Sequence, residues 1–235
     1  MDRFGGAAGG ADVGGAGGPD GPVRPVEIVA GEVRLPGDLA VPSGALGVVA
    51  FAHGSGSSRL SPRNREVAAA LNAAGVATLL FDLLTPGEAE DRANVFDIGL
   101  LAARLLAAAR WLADEPATAG LPLGLFGAST GAAAALWAAA EPGGPEIGAV
   151  VSRGGRPDLA APRLAEVRAP TLLIVGGWDE PVIEMNRAAA ALLRCEHEVV
   201  IVPGATHLFE EPGTLERVAE LAAGWFVRHL GATAA

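Results

Sequence analysis

Short apolar runs alternate with longer stretches of helical period from residue 23 to residue 230, and this alternation narrows the fold more than any other feature. Strand, helix and strand repeated in that order are the pattern of a mostly parallel sheet covered by helices on both faces. LGVVAFAHG (46–54) is a continuous apolar run ending in a Gly-rich loop, as a strand buried on both faces requires. VATLLFDL (76–83), LPLGLFG (121–127), EIGAVVSRGG (146–155), APTLLIVGG (169–177) and HEVVIVPGA (197–205) repeat the signal. Residues 26–29 and 32–35, around Ala30-Gly31, predict an opening hairpin. Between the strands, Ser61-Pro62 starts a helix that Gly75 ends, with Val67, Leu71 and Ala74 on one face. Residues 93–114 predict a long helix striped with Ile98, Leu101, Leu105, Ala109 and Leu112. Shorter helices are expected near 156–167 and 181–194, and a final one over 213–230.

A chain of 235 residues suits one such domain, placed here at 23–231 with a short tail at 232–235. The first 22 residues are mostly Gly and Ala, lack a basic start and an apolar core, and are expected to form a disordered tail in a cytoplasmic protein. No stretch is long and apolar enough for a membrane span. Cys195 is the one cysteine, which excludes an internal disulfide and thiolate metal clusters. The net charge of −10, without a basic stretch, excludes nucleic acid as a partner class.

GLFGASTGAAAALW (124–137) places Ser129 between Gly127 and Gly131. With 33 glycines and seven serines, a G-x-S-x-G arises by chance roughly 0.14 times per such chain, so the pattern alone decides little. Its position decides more. The motif falls at a strand-to-helix junction, where a sharp turn presents a Ser at the carboxyl edge of the sheet and the next helix aims its first N–H groups at a nascent oxyanion. A Ser hydroxyl needs a base, and of four histidines His229 falls in the last helix, His197 begins a strand and His53 precedes Ser129 in another motif, which leaves His207 in the loop after the last strand, PGATHLF. That base needs a carboxylate to fix its tautomer, and Asp179 in VGGWDEPV comes first after the turn of the preceding strand. Glu180 stands next to it, and either residue can instead cap the following helix. The second oxyanion donor is expected from His53-Gly54-Ser55-Gly56, as the N–H of Ser55 acting with that of Thr130; His53 reads as a structural residue of that loop.

Together AHGSGSSRLSPRN, FGASTGAAAA, VGGWDEPV and PGATHLFEE resemble the α/β-hydrolase superfamily, most closely its dienelactone-hydrolase-like group. The resemblance implies an α/β fold with helices on both faces of the sheet, an esterase or lactonase activity, no metal and no organic cofactor, with Ser129, Asp179 and His207 as the triad. Dienelactone hydrolases carry Cys at the elbow where this chain has Ser, which bears on the substrate rather than on acyl transfer.

About 17 residues separate AVVS from APTLL, too few for a large cap, so an open, shallow site is expected. Arg59 and Arg63 follow the oxyanion loop and Arg153 and Arg156 follow the strand beside the elbow, where they can meet an anionic substrate or pair with Asp82, Glu88 or Asp158. Trp178 lines the pocket or packs under its loop. The expected partner is a small ester or lactone bound by a monomer or homodimer. The same triad serves acyl transfer or peptide hydrolysis, and a gap in it would indicate a non-catalytic binding scaffold; no gap is seen.

Overall fold

The computed structural model describes residues 23–231, so the tails expected at 1–22 and 232–235 lie outside the described residues. Eight strands form one sheet: β1 (Arg24–Ala30), β2 (Val33–Ala40), β3 (Val48–Ala52), β4 (Ala77–Phe81), β5 (Leu123–Ala128), β6 (Ala149–Arg153), β7 (Thr171–Gly176) and β8 (His197–Val202), in the spatial order β1-β2-β4-β3-β5-β6-β7-β8. The β1–β2 hairpin is antiparallel and β2 pairs antiparallel with β4, whereas every pairing from β4 through β3 to β8 is parallel. Parallel strands need helical crossovers, and their burial on both faces explains why β3 to β7 read as unbroken apolar runs.

One face is covered by α1 (Pro62–Ala73) and α7 (Thr214–Leu230), with Val67, Leu71 and Phe226 packed on Val49, Phe126, Val151 and Ile174. The other carries α4 (Ile98–Asp114) and α5 (Thr130–Ala139), with Leu105, Ala134 and Leu136 against Ala50, Leu125, Val150 and Leu173. Helix α6 (Glu180–Ala190) places Val182 and Ile183 on Val175. No helix of the described residues is long and apolar enough to cross a membrane.

Three expectations about the elements need correction. The hairpin is longer than 26–29 and 32–35, because β2 runs through Pro36, which pairs with Glu27 of β1 and accepts from Asp82 N–H at 3.1 Å through its carbonyl, just before the β2–β4 register begins at Gly37. The helix expected from 93 starts at Ile98. Three capping side chains in succession, Thr85, Asp91 and Asp97, divide the approach into two single turns, α2 (Pro86–Ala89) and α3 (Arg92–Val95), before α4 begins. Residues Pro157–Glu166 form a 3₁₀ segment rather than an α-helix, with Pro162 inside it. The absence of a large cap between β6 and β7 is as expected.

Candidate active site

Strand β5 turns into α5 through Ser129, whose φ of 52° makes it one of two non-Gly residues with positive φ among the described residues. Such backbone costs on the order of 1–3 kcal/mol and persists only where the surroundings over-determine it. Here the two motif glycines do so. A Cβ on Gly127 would overlap the backbone of Ala132, and one on Gly131 would overlap the carbonyl oxygens of Ala52 and His53. The elbow is therefore wedged between its own helix and the end of β3. Ser129 N–H donates to the Arg153 carbonyl at 3.2 Å, and the Ser129 carbonyl accepts from Arg156 N–H at 3.1 Å, tying the turn to the end of β6.

Ser129 is the N-cap of α5, and the first N–H groups of a helix lack partners one turn back along it. Across from them comes the loop after β3, so near that a Cβ on Gly54 would lie 3.1 Å from Ser129 Cβ. In the resting site the Ser55 N–H is already committed, donating to Thr130 Oγ1 at 2.9 Å. His53 holds this loop from below. Its Nε2 accepts from Leu83 N–H at 3.1 Å while Nδ1 donates to the Gly54 carbonyl at 3.0 Å, an arrangement only the neutral ring can make. Burial keeps its pKa below the ordinary histidine value in the same sense, outweighing the Gly54 bond and the nearby Asp82 charge.

Asp179 and His207 meet. His207 Nδ1–H donates to Asp179 Oδ2 at 2.7 Å, which leaves Nε2 without that proton and able to accept one. The alternative role for Asp179 is not taken: it occupies the N-cap of α6, yet its side chain makes no capping bond. Glu180 is exposed. The two loops are joined by Gly177 N–H to the Val202 carbonyl at 2.8 Å and Trp178 N–H to the Ala205 carbonyl at 2.9 Å. His207 and Ser129 then flank the same short stretch. Ser129 is bonded to the Arg153 carbonyl, and a Cβ on Gly154 would lie 3.1 Å from the His207 carbonyl and 3.5 Å from its Nδ1.

Beside Ser55 and Thr130 opens a pocket of about 280 Å³, walled largely by apolar side chains including Leu84, Pro86, Val95 and Leu101. The pocket adjoins the loop after β3 and the head of α5, and Ser129, Asp179 and His207 are not among its lining residues. The segment after β4, not a cap after β6, supplies its wall.

A family model for dienelactone hydrolases matches residues 37–226. The chain belongs to the dienelactone hydrolase family. The crystal structure of a dienelactone hydrolase from Anabaena variabilis is 56% identical, with a TM-score of 0.86 over 90% of this chain and 99% of that one. The Est1E structure from Butyrivibrio proteoclasticus shares the fold at 18% identity, with a TM-score of 0.74 over 88% of this chain and 98% of its own. A protein of Mycobacterium tuberculosis named "Putative phosphoribosyl transferase" is 62% identical over 205 residues, 87% of this chain and 46% of its own length. The chain therefore spans about half the length of the curated relatives it matches.

Within this family member the four arginines near the sheet edge differ sharply. Arg59 is a brace: Nη1 donates to Asp82 Oδ2 at 2.7 Å, its backbone N–H donates to Oδ1 at 2.7 Å, and Nε lies 3.7 Å from Asp38. Arg156 forms a two-pronged pair with Asp158 at 2.8 and 2.7 Å. Neither is free for substrate. Arg63 touches Glu210 at 3.1 Å, and Arg153 has no ion-pair partner among the described residues. Trp178 is 68% exposed beside Gly204, so it neither lines the apolar pocket nor packs under its loop. Two residues of the His207 loop were missed by sequence reasoning. Phe209, buried at φ 55°, anchors the loop, and Glu211 accepts from Thr206 N–H at 3.0 Å. Apart from being acidic or aromatic beside the His, they carry no sequence signal.

Proposed function

We propose that this chain is a serine-dependent hydrolase of small esters, lactones or thioesters. The observation that carries the reading is the 2.7 Å bond from His207 Nδ1–H to Asp179 beside a Ser129 held at positive φ. A carboxylate taken from a helix cap and spent on an imidazole fixes the tautomer in which Nε2 is a base. In the proposed sequence His207 Nε2 takes the Ser129 proton as Oγ attacks the carbonyl carbon. The oxyanion is met by Thr130 N–H at the head of α5, and Ser55 N–H joins by exchanging its bond to Thr130 Oγ1. His207 then gives the proton to the leaving alcohol or thiol, and water repeats the cycle to release the acid.

Ester chemistry is supported by family membership and by the esterase fold shared with solved neighbours. The apolar pocket suits one arm of a compact substrate, though at about 280 Å³ it is small for a long chain. The transferase name of the Mycobacterium relative covers a protein about twice as long as the match, and this reading concerns the matched portion. Labelling with a fluorophosphonate probe tests it. The wild type should react, Ser129→Ala should not, and a folded wild type that stays unlabelled and inert on p-nitrophenyl acetate overturns the proposal.

A further inference from the structure

Thr130 follows the nucleophile as the first residue of α5 and is 3% exposed. Its Oγ1 accepts from Ser55 N–H at 2.9 Å, and no atom of the described residues accepts the hydroxyl proton in return. The other buried threonines all find an acceptor. Thr118 donates to the Leu112 carbonyl at 2.7 Å, Thr171 to the Ala169 carbonyl at 2.9 Å, Thr214 to the Glu211 carbonyl at 2.7 Å and Thr78 to Asn72 Oδ1 at 3.4 Å. Buried polar groups are nearly always paired, so an exception calls for a reason. Thr130 and Ser55 both belong to the wall of the pocket of about 280 Å³, which puts the unspent proton at the edge of space that a substrate can enter.

We propose that the Thr130 hydroxyl is a catalytic group, a third donor to the oxyanion beside the N–H groups of Thr130 and Ser55. The inference rests on the hydrolase reading and adds to it a side-chain donor. In the resting site Oγ1 holds the place of an acceptor for Ser55 N–H, so it lies within one hydrogen bond of the position the oxyanion takes. When Ser55 N–H turns to that oxyanion, Oγ1 is left beside the same acceptor with its proton free. The proton stays on Thr130 throughout; only the hydrogen bond is new. A neutral ester carbonyl is a modest acceptor and the tetrahedral oxyanion a strong one, so the bond tightens as charge develops. A contact of that kind raises kcat and leaves KM nearly alone. The competing role, a hydroxyl that merely plugs the hole until substrate displaces it, predicts the opposite sign.

Thr130→Val keeps the branched shape and removes the hydroxyl, and Thr130→Ser keeps the hydroxyl and removes the methyl. On p-nitrophenyl acetate Thr130→Val should lose about 10- to 100-fold in kcat, the scale of one hydrogen bond to a charged group, with KM little changed. Thr130→Ser should recover most of that loss. Should Thr130→Val fail to fold by its thermal midpoint, Thr130→Ala carries the same expectation. The second readout is inhibition by ethyl trifluoromethyl ketone, which adds to a reactive Ser as a hemiketal oxyanion. Its inhibition constant should weaken in step with the loss in kcat for Thr130→Val and return in Thr130→Ser. A Thr130→Val as fast as wild type or faster overturns the inference in favour of a plug. So does a change confined to KM, an equal loss in Thr130→Val and Thr130→Ser, or a fall in kcat that leaves the ketone binding as before. A wild type that neither takes the fluorophosphonate nor cleaves p-nitrophenyl acetate removes the hydrolase reading and this inference with it. An active wild type matched by Thr130→Val removes this inference alone.

Discussion

Asp179→Asn changes one oxygen for an NH₂ at nearly constant volume, and its effect follows from the His207 contact. In the wild type the carboxylate accepts from Nδ1–H at 2.7 Å, and in the proposed mechanism it faces the imidazolium that forms when Ser129 loses its proton. Two unit charges about 4 Å apart at an effective dielectric of about 20 attract by about 4 kcal/mol, and the hydrogen-bonded pair lies within that range. Losing that attraction in the transition state costs about three powers of ten in rate, at about 1.4 kcal/mol for each. The asparagine can also turn its NH₂ to Nδ1, which puts the proton on Nε2 and removes the base altogether; the corresponding change in a serine protease costs about 10⁴ in kcat. We therefore expect Asp179→Asn to lower kcat/KM on p-nitrophenyl acetate by about 10³ to 10⁴, with fluorophosphonate labelling slowed in parallel. Glu180→Gln, at an exposed position with no part in the contact, should stay within about twofold. A loss below tenfold in Asp179→Asn, or a larger one in Glu180→Gln, refutes the assignment of the carboxylate.

Gly131→Ala should destabilise the fold by more than the roughly 1–3 kcal/mol of ordinary overpacking, because its Cβ would meet two backbone carbonyls that cannot turn aside. The denaturant midpoint reads this, with Gly87→Ala, which has nothing within 4 Å and an ordinary φ, as the comparison expected to be neutral or slightly stabilising. His53 is neutral in the folded protein with a pKa below 6.5, so between that lowered value and 6.5 the unfolded chain binds a proton that the folded one does not. Its contribution to stability is fully present above pH 6.5 and declines as the pH falls below it. His229, shifted the same way by burial, adds to the decline. In His53→Gln the fall in stability below pH 6.5 should be shallower than in wild type; identical slopes would exclude the assigned ring state.

Much of the site was legible because it is written in local patterns. Unbroken apolar runs marked β3 to β7, and Ser129 could be placed at the end of one of them without knowing any contact. Asp179 and His207 followed because each falls just beyond a strand and the chemistry needs both. What stayed hidden depends on which distant side chains meet. Arg59 and Arg153 look alike in sequence, yet one is braced by Asp82 and Asp38 and the other is left without a partner, a difference set by β4 and β2 on one side and α1 on the other. The wall of the apolar pocket was missed because 84–97 reads as a loop running into a helix, whereas successive caps fold it into two turns over the sheet edge. Phe209 at positive φ was invisible, since an aromatic residue gives no hint of left-handed backbone.

Helix α5 is slim, with Ala132 to Ala135 and Leu136 fully buried against the sheet. A larger side chain at any of Ala132 to Ala135 would overpack the seam between α5 and the sheet, so the frame around Ser129 has almost no freedom to drift. Substitutions are expected to be tolerated instead in the parts that merely border it: the two small turns after β4, the end of β6 and the loop bearing His207. A lineage can exchange its diet at those margins while the cutting edge stays the same.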